Sequence, residues 1–392
     1  MTPPYTQEAP SPQGPGFGTV SGLLHRGVEE GVFPGAVCLV LHRGRPVFQE
    51  AVGRHGGPDS PAVEPDAIYD LASLTKPLVT AMCLLASLDR GEVCLSDTLD
   101  ASLSDEERRI ASPALRRVPL EALLTHTSGL PAWIPLAGQA QDASGARTQV
   151  LATPLQNPTR GVYTYSDLGY ILLGLVLERC QACSLDALFR ARVTEPLGLA
   201  STGFWRSADG GHQWSGAAHA QAVDLRRLVA PTAFCPRRGR LLTAEVHDSN
   251  ADVLGGVAGH AGLFSTAREV GALAELVRQG GSLGGVRVLS PAASALARAS
   301  RLDPSLGGHT AGWFCRPNGY HVGGDLASPA SFSHSGFTGT SVLVDPEREL
   351  TVVLLTNAVQ CEGKRHLRFR RVLHNAAVAA VTDLPWRLAS RG

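Results

Sequence analysis

The strand-forming segments of this 392-residue chain stand at its two ends, and that limits the folds open to it. Near the N-terminus, Ala36–Leu41 and Pro46–Val52 are β-rich runs separated by the turn His42-Arg43-Gly44-Arg45, a hairpin pattern that follows an amphipathic helix over Thr19–Glu30. Strand signals return only in Ala311–Cys315, Ser331–His334, Thr340–Val344 and Leu350–Leu355, ahead of a last helix from about Arg365 to Val381. The middle reads as helix: Ser73–Arg90, Ser104–Ile110 with a capping box at Ser104 and Glu107, Pro119–Thr125, Ser166–Arg179, Ser184–Val193 and Arg268–Arg278. The pattern predicts an α+β fold, with one antiparallel sheet built from both chain ends and flanked by helices. An inserted, mostly helical subdomain lies beside it, and a site belongs in the cleft between them. The predicted organisation is a disordered tail over residues 1–16 and one domain over 17–385, with its sheet part at about 17–72 and 285–385 and its helical part at about 73–284.

Composition removes several function classes. The 35 basic and 35 acidic side chains balance, so no global field favours nucleic acid or an anionic membrane. The basic cluster Lys364, Arg365, Arg368, Arg370, Arg371 reads as a solvated helix face. Eight scattered cysteines do not make a disulfide framework, and Cys180 and Cys183 form one CxxC pair without the second pair that a zinc site needs. No stretch is long enough to span a bilayer, and residues 1–16 lack the apolar core of a signal peptide. A cytoplasmic protein is expected, or a periplasmic or secreted one if the true start lies upstream. No Gly-x-x-x-x-Gly-Lys is present, and the glycines at 255–262 do not spell a dinucleotide fingerprint. No cofactor or metal is called for, and the expected partner is a small molecule.

Only two lysines occur, Lys76 and Lys364, against 33 arginines. Where a positive charge suffices, the chain uses arginine. A lysine can give up its proton when desolvated and an arginine cannot, so Lys76, three residues after Ser73, suggests a base beside a nucleophile. Ser-x-x-Lys alone is a loose pattern, but this one opens a helix whose N-terminus favours a serine oxygen becoming anionic. At spacing i, i+3 the two side chains share a face. Pro77 lacks the amide that would pair with the Ser73 carbonyl, so an irregular first turn is expected. A Ser-Lys hydrolase also needs a second proton-transfer group and an oxyanion hole. Tyr165-Ser166-Asp167 at a helix head offers the first. His334-Ser335-Gly336 at a strand end, followed by Phe337, offers the second: the backbone N–H of Phe337 can join that of Ser73, and Gly336 lets substrate approach the strand.

With Leu124-Thr125-His126-Thr127-Ser128-Gly129-Leu130 and the stretch Gly255–Ser265, these motifs resemble the serine β-lactamase and penicillin-binding protein superfamily over residues 18 to 382. The resemblance is to its class C-like branch of esterases, D-aminopeptidases and D,D-carboxypeptidases. It implies a serine hydrolase working through an acyl-enzyme, with Ser73 attacking a carbonyl, Lys76 and Tyr165 shuttling its proton, and water releasing the acyl group.

Two departures bear on substrate. The branch usually has Asn at the position of Asp167, and its β-lactamases usually have Lys at that of His334, where only a protonated histidine could approximate the hold on a substrate carboxylate. Asp167 accepts from an N–H or amine and cannot donate. Both changes favour a small ester or a D-amino acid amide or peptide over a penicillin-like anion. A β-lactamase proper and a non-catalytic binding relative are the alternatives; the complete Ser, Lys, Tyr and His positions argue against the latter. Tyr165 and His334 could also be packing residues. His126 and His260, beside glycines, read as braces of tight turns, and Glu245–Asn250 could line the pocket or cap turns.

Overall fold

The structure, a computed structural model, describes residues 16–57, 59–208, 211–216 and 225–382. Most of the expected tail therefore lies outside the described residues. The main sheet has six antiparallel strands, β1 (Gly35–His42), β2 (Arg45–Gly53), β3 (Phe314–Cys315), β4 (Phe332–Ser335), β5 (Ser341–Asp345) and β6 (Leu350–Thr356). Their order across the sheet is β3-β4-β5-β6-β1-β2. The two chain ends meet where β1 pairs with β6, from Ala36 opposite Thr356 to His42 opposite Leu350.

β1 and β6 are apolar at consecutive positions because both faces of the sheet are covered. Successive strand residues point to opposite faces, so Ala36, Cys38 and Val40 join a core with Leu24, Leu373 and Val378 from the terminal helices Gly18–Glu29 and Arg365–Thr382. Val37, Leu39 and Leu41 face the other way, against the helix Ala267–Arg278 and the helical body. The Asp105–Ile110 helix carries its capping box, and Thr266 caps Ala267–Arg278 by accepting from Glu269 N–H.

Two expected elements differ. Of Ala311–Cys315 only Phe314 and Cys315 pair as strand, because Gly312 takes a φ of +104° in a turn closed from Gly312 N–H to Thr310 O. The Ser73–Arg90 segment runs through three pitches: a 3-10 turn over Ala72–Leu74, a π-helical stretch over Lys76–Ala81 and an α-helix over Met82–Asp89. Pro77, without an N–H, removes the bond that an α-turn would return to the Ser73 carbonyl, and the wider pitch follows. Among the described residues no single helix is long and apolar enough to cross a membrane.

Candidate active site

Ser73 follows a strained turn. Ala72 has a φ of +47°, a region disfavoured for any residue with a Cβ, and Asp70 holds it there. Asp70 Oδ1 accepts from Ala72 N–H at 2.8 Å and Oδ2 from His247 N–H at 2.7 Å, while its carbonyl accepts from Thr338 Oγ1 at 2.7 Å. Burial pushes the Asp70 carboxyl up to about 6, against those two backbone bonds. Thr75 ties the far side, donating to Ala72 O at 2.7 Å and accepting from Leu263 N–H at 3.1 Å. Thr75 thereby docks the turn on the Leu263–Ser265 strand, which pairs with Tyr69–Asp70.

Lys76 is wholly buried. Its Nζ donates to Ser73 Oγ at 2.9 Å and to His260 O at 3.1 Å, and lies 2.7 Å from Asp167 Oδ1. The glycine-rich stretch brings that carbonyl into reach. A Cβ on Gly259 would stand 2.0 Å from the Tyr170 carbonyl, so only glycine lets this loop press against the helix Asp167–Gln181. Burial alone would favour the neutral amine, but Asp167 and then Tyr165 outweigh it and push Lys76 up to about 12. The resting group is therefore the ammonium that a neighbouring carboxylate favours, not the neutral amine that burial alone would give.

Tyr165 is set at the head of the Asp167–Gln181 helix by a double bracket. Ser166 caps the helix, accepting from Gly169 N–H at 3.3 Å and donating to Pro131 O at 2.7 Å. His126, at a φ of +59°, receives Ser166 N–H on Nδ1 at 3.0 Å, and its ring lies 4.6 Å from that of Tyr165. The Tyr165 hydroxyl interacts with Ser73 and Lys76, and burial raises its pKa while the Lys76 ammonium opposes the rise. Asp167 is fixed by its N–H on Ala132 O at 2.9 Å. Thus Ser73, Lys76, Tyr165 and Asp167 converge on one point.

His334 comes to the same wall from β4, stacked on Phe314 at 4.3 Å and 6.1 Å from the Tyr165 ring. It is fully buried, with Nδ1 on Ser335 O at 3.1 Å. Burial, reinforced by the Lys76 charge, holds its pKa well below the usual histidine range. A histidine held neutral in this way offers a substrate carboxylate no positive charge. Gly336 is also required from within the fold. A Cβ there would meet Thr340 Oγ1 at 2.3 Å and the Leu71 carbonyl at 2.4 Å, so the close approach is to the nucleophile's own turn. Ser335 is half-buried opposite Ser341. Among the described residues, neither Ser73 nor Phe337 commits its backbone N–H to a protein acceptor. The Phe337 ring is 68% exposed, stacked beside His247.

The remaining expected residues brace the site. His260 Nε2 pairs with Asp248 Oδ1 at 3.0 Å, and Asp248 also caps the Ser249–Val253 helix through Ala251 N–H. Cys180 and Cys183 are free thiols. Sequence reasoning missed Asp70, His309, Phe314 and Tyr320. His309 packs on His126 at 5.0 Å, Phe314 and Tyr320 pack on Tyr165 at 5.5 and 5.4 Å, and burial pushes His309 down to about 4. Arg370 was misread, since it is 2% exposed and not on a solvated face.

The sequence profile of the Beta-lactamase family matches residues 20–377. The chain belongs to that family. Its members are serine hydrolases, and the relatives carry the same architecture. A Salmonella agona protein named "Putative D-alanyl-D-alanine carboxypeptidase" is 28% identical over 357 residues, covering 86% of this chain and 82% of its own. An Escherichia coli K12 protein of the same name is 30% identical over 306 residues, covering 74% and 69%. Among solved structures, EstCE1, "a hydrolase with promiscuous acyltransferase activity", superposes with a TM-score of 0.69 at 21% identity, over 92% of this chain and 97% of its own. A penicillin-binding protein homologue from Caulobacter crescentus gives 0.69 at 19%, over 95% and 99%. These two likenesses bear on the fold alone.

Proposed function

We propose that this family member forms an acyl-enzyme on Ser73 and hydrolyses small, uncharged esters. The observation that carries the reading is the Ser73 Oγ to Lys76 Nζ contact of 2.9 Å at a strained turn, with the Tyr165 hydroxyl on the same pair. Because Lys76 rests as an ammonium anchored by Asp167, the proton travels through Tyr165. Ser73 Oγ bonds to the substrate carbonyl carbon and passes its proton to the Tyr165 oxygen, as the phenolic proton of Tyr165 moves to the departing alcohol oxygen. Water repeats the exchange in reverse, giving its proton to Tyr165 while the phenolic proton returns to Ser73 Oγ and the acid leaves. Tyr165 ends each half-reaction neutral. Lys76 stabilises negative charge building on Ser73 and Tyr165, and the N–H groups of Ser73 and Phe337, uncommitted to any backbone carbonyl among the described residues, are the donors assigned to the developing oxyanion.

The preference for uncharged esters rests on the surroundings. Phe337, Tyr320 and Trp133 are more than half exposed and sit respectively on the oxyanion strand end, against Tyr165, and next to the Ala132 carbonyl that holds Asp167. Neutral His334 offers a carboxylate no charge. A second reading, a D-amino acid amide or peptide, draws on Asp167 as an acceptor and on the printed name of the curated relatives. Wild type and Ser73→Ala, assayed on nitrophenyl acetate and butyrate, a D-alanine amide, a D-Ala-D-Ala peptide and a cephalosporin, separate the two. Ester turnover that exceeds the others and vanishes in Ser73→Ala is expected. Faster peptide turnover would favour the second reading, and no Ser73-dependent turnover would overturn both.

A further inference from the structure

We infer that Arg370 is a positioning residue that polarises the oxyanion hole from behind, an inference that rests on the acyl-enzyme reading above. Arg370 lies on the last helix and is 2% exposed, yet among the described residues no carboxylate comes within ion-pair distance of it. Its partners are two carbonyls of the turn between β4 and β5: Nη2 donates to Gly336 O at 2.5 Å and Nε to Gly339 O at 3.2 Å. Burial lowers its pKa only to about 10, so it stays charged at neutral pH. A buried guanidinium without a counter-ion is costly, and a fold that only needed the turn closed has a cheaper means in the Gly339 N–H to Gly336 O bond already present at 3.2 Å.

What the charge does follows from covalent geometry. Gly336 C=O and Phe337 N–H belong to one planar peptide group, whose resonance couples the two ends. A cationic donor on the carbonyl draws electron density from the nitrogen and makes Phe337 N–H a stronger donor, the cooperative strengthening expected in a chain of hydrogen bonds at low dielectric. The same fork fixes the direction of that N–H, with Thr338 Oγ1 on Asp70 O and Thr340 Oγ1 on Leu71 O holding the turn against the Ser73 segment. One helix residue thus sets both the strength and the aim of a donor it never touches.

The test compares wild type, Arg370→Met and Arg370→Lys on a nitrophenyl ester and on an alkylboronic acid, whose tetrahedral adduct on Ser73 places an anionic oxygen in the hole. Since loss of a whole oxyanion donor costs about 100- to 1,000-fold, loss of its polarisation in Arg370→Met should lower kcat and boronate affinity by about 10- to 100-fold, with KM within about threefold. Arg370→Lys should recover most of both. Unchanged kcat in Arg370→Met, or equal losses in the Met and Lys variants, would overturn the inference by removing the role of charge. Arg370→Gln substitutes for Met if that variant does not fold, with the same loss required. The Phe337 amide proton shift keeps this test separate from the hydrolase reading. It should move upfield in Arg370→Met even if no ester is turned over, and an unmoved shift overturns the polarisation itself.

Discussion

Asp167→Asn changes the charge state of Lys76 without altering the shape of the site. The Asp167 carboxylate lies 2.7 Å from Lys76 Nζ and is the largest influence opposing burial, which otherwise favours a neutral amine. At an effective dielectric constant of about 20, two unit charges at that distance attract by about 6 kcal/mol, a ceiling of roughly four pKa units. From about 12 in the wild type, a loss of half to all of this ceiling would bring Lys76 to roughly pH 8–10. If the ammonium is the working form, kcat/KM for a nitrophenyl ester in Asp167→Asn gains a descending alkaline limb in that range, absent from the wild type below about pH 11. Stability shifts with the same sign. The raised Lys76 pKa contributes stability fully present below its ordinary 10.5 and lost as pH rises through about 12, so removing Asp167 lowers the unfolding temperature at neutral pH. Activity of Asp167→Asn that rises with pH across 8–10 would refute the reasoning and make the neutral amine the base.

Tyr165→Phe removes the proton shuttle and should lower kcat on an ester by about 100- to 10,000-fold with little change in unfolding temperature; a fall below tenfold would move the proton to another group. Because His334 is held neutral, the kcat/KM ratio between a carboxylate-bearing and a neutral ester should stay flat from pH 5 to 8, and a ratio rising toward low pH would mean that His334 takes up a proton. Gly336→Ala forces a Cβ against Thr340 Oγ1 and the Leu71 carbonyl, so it should destabilise by about 1–3 kcal/mol in denaturant melts and impair turnover; unchanged stability would show that the turn can move aside.

Local signals in the chain were legible because they act over a few residues. The capping box at Ser104, the hairpin and the Ser-x-x-Lys spacing each depend on short-range geometry, and the apolar runs of β1 and β6 already imply a sheet covered on both sides. That a carboxylate near Lys76 favours its ammonium follows from residue chemistry, but the 2.7 Å approach of Asp167, 91 positions away in the chain, is set by folding and was not legible. Asp70 and His309 were silent for the same reason: one is tied to His247 and the other packs on His126. Arg370 did leave a signal. It falls in phase with Leu373, His374, Ala377 and Val378, the buried stripe of its helix, and a charge on such a stripe is a buried charge. Its arginine neighbours at 365, 368 and 371 masked that phase.

The central claim is that Ser73 is acylated, and mass spectrometry after inactivation by an alkyl fluorophosphonate tests it most directly. The account predicts a single adduct per chain on the peptide bearing Ser73, with no adduct in Ser73→Ala. A label on any other residue, or equal labelling of Ser73→Ala, would contradict it.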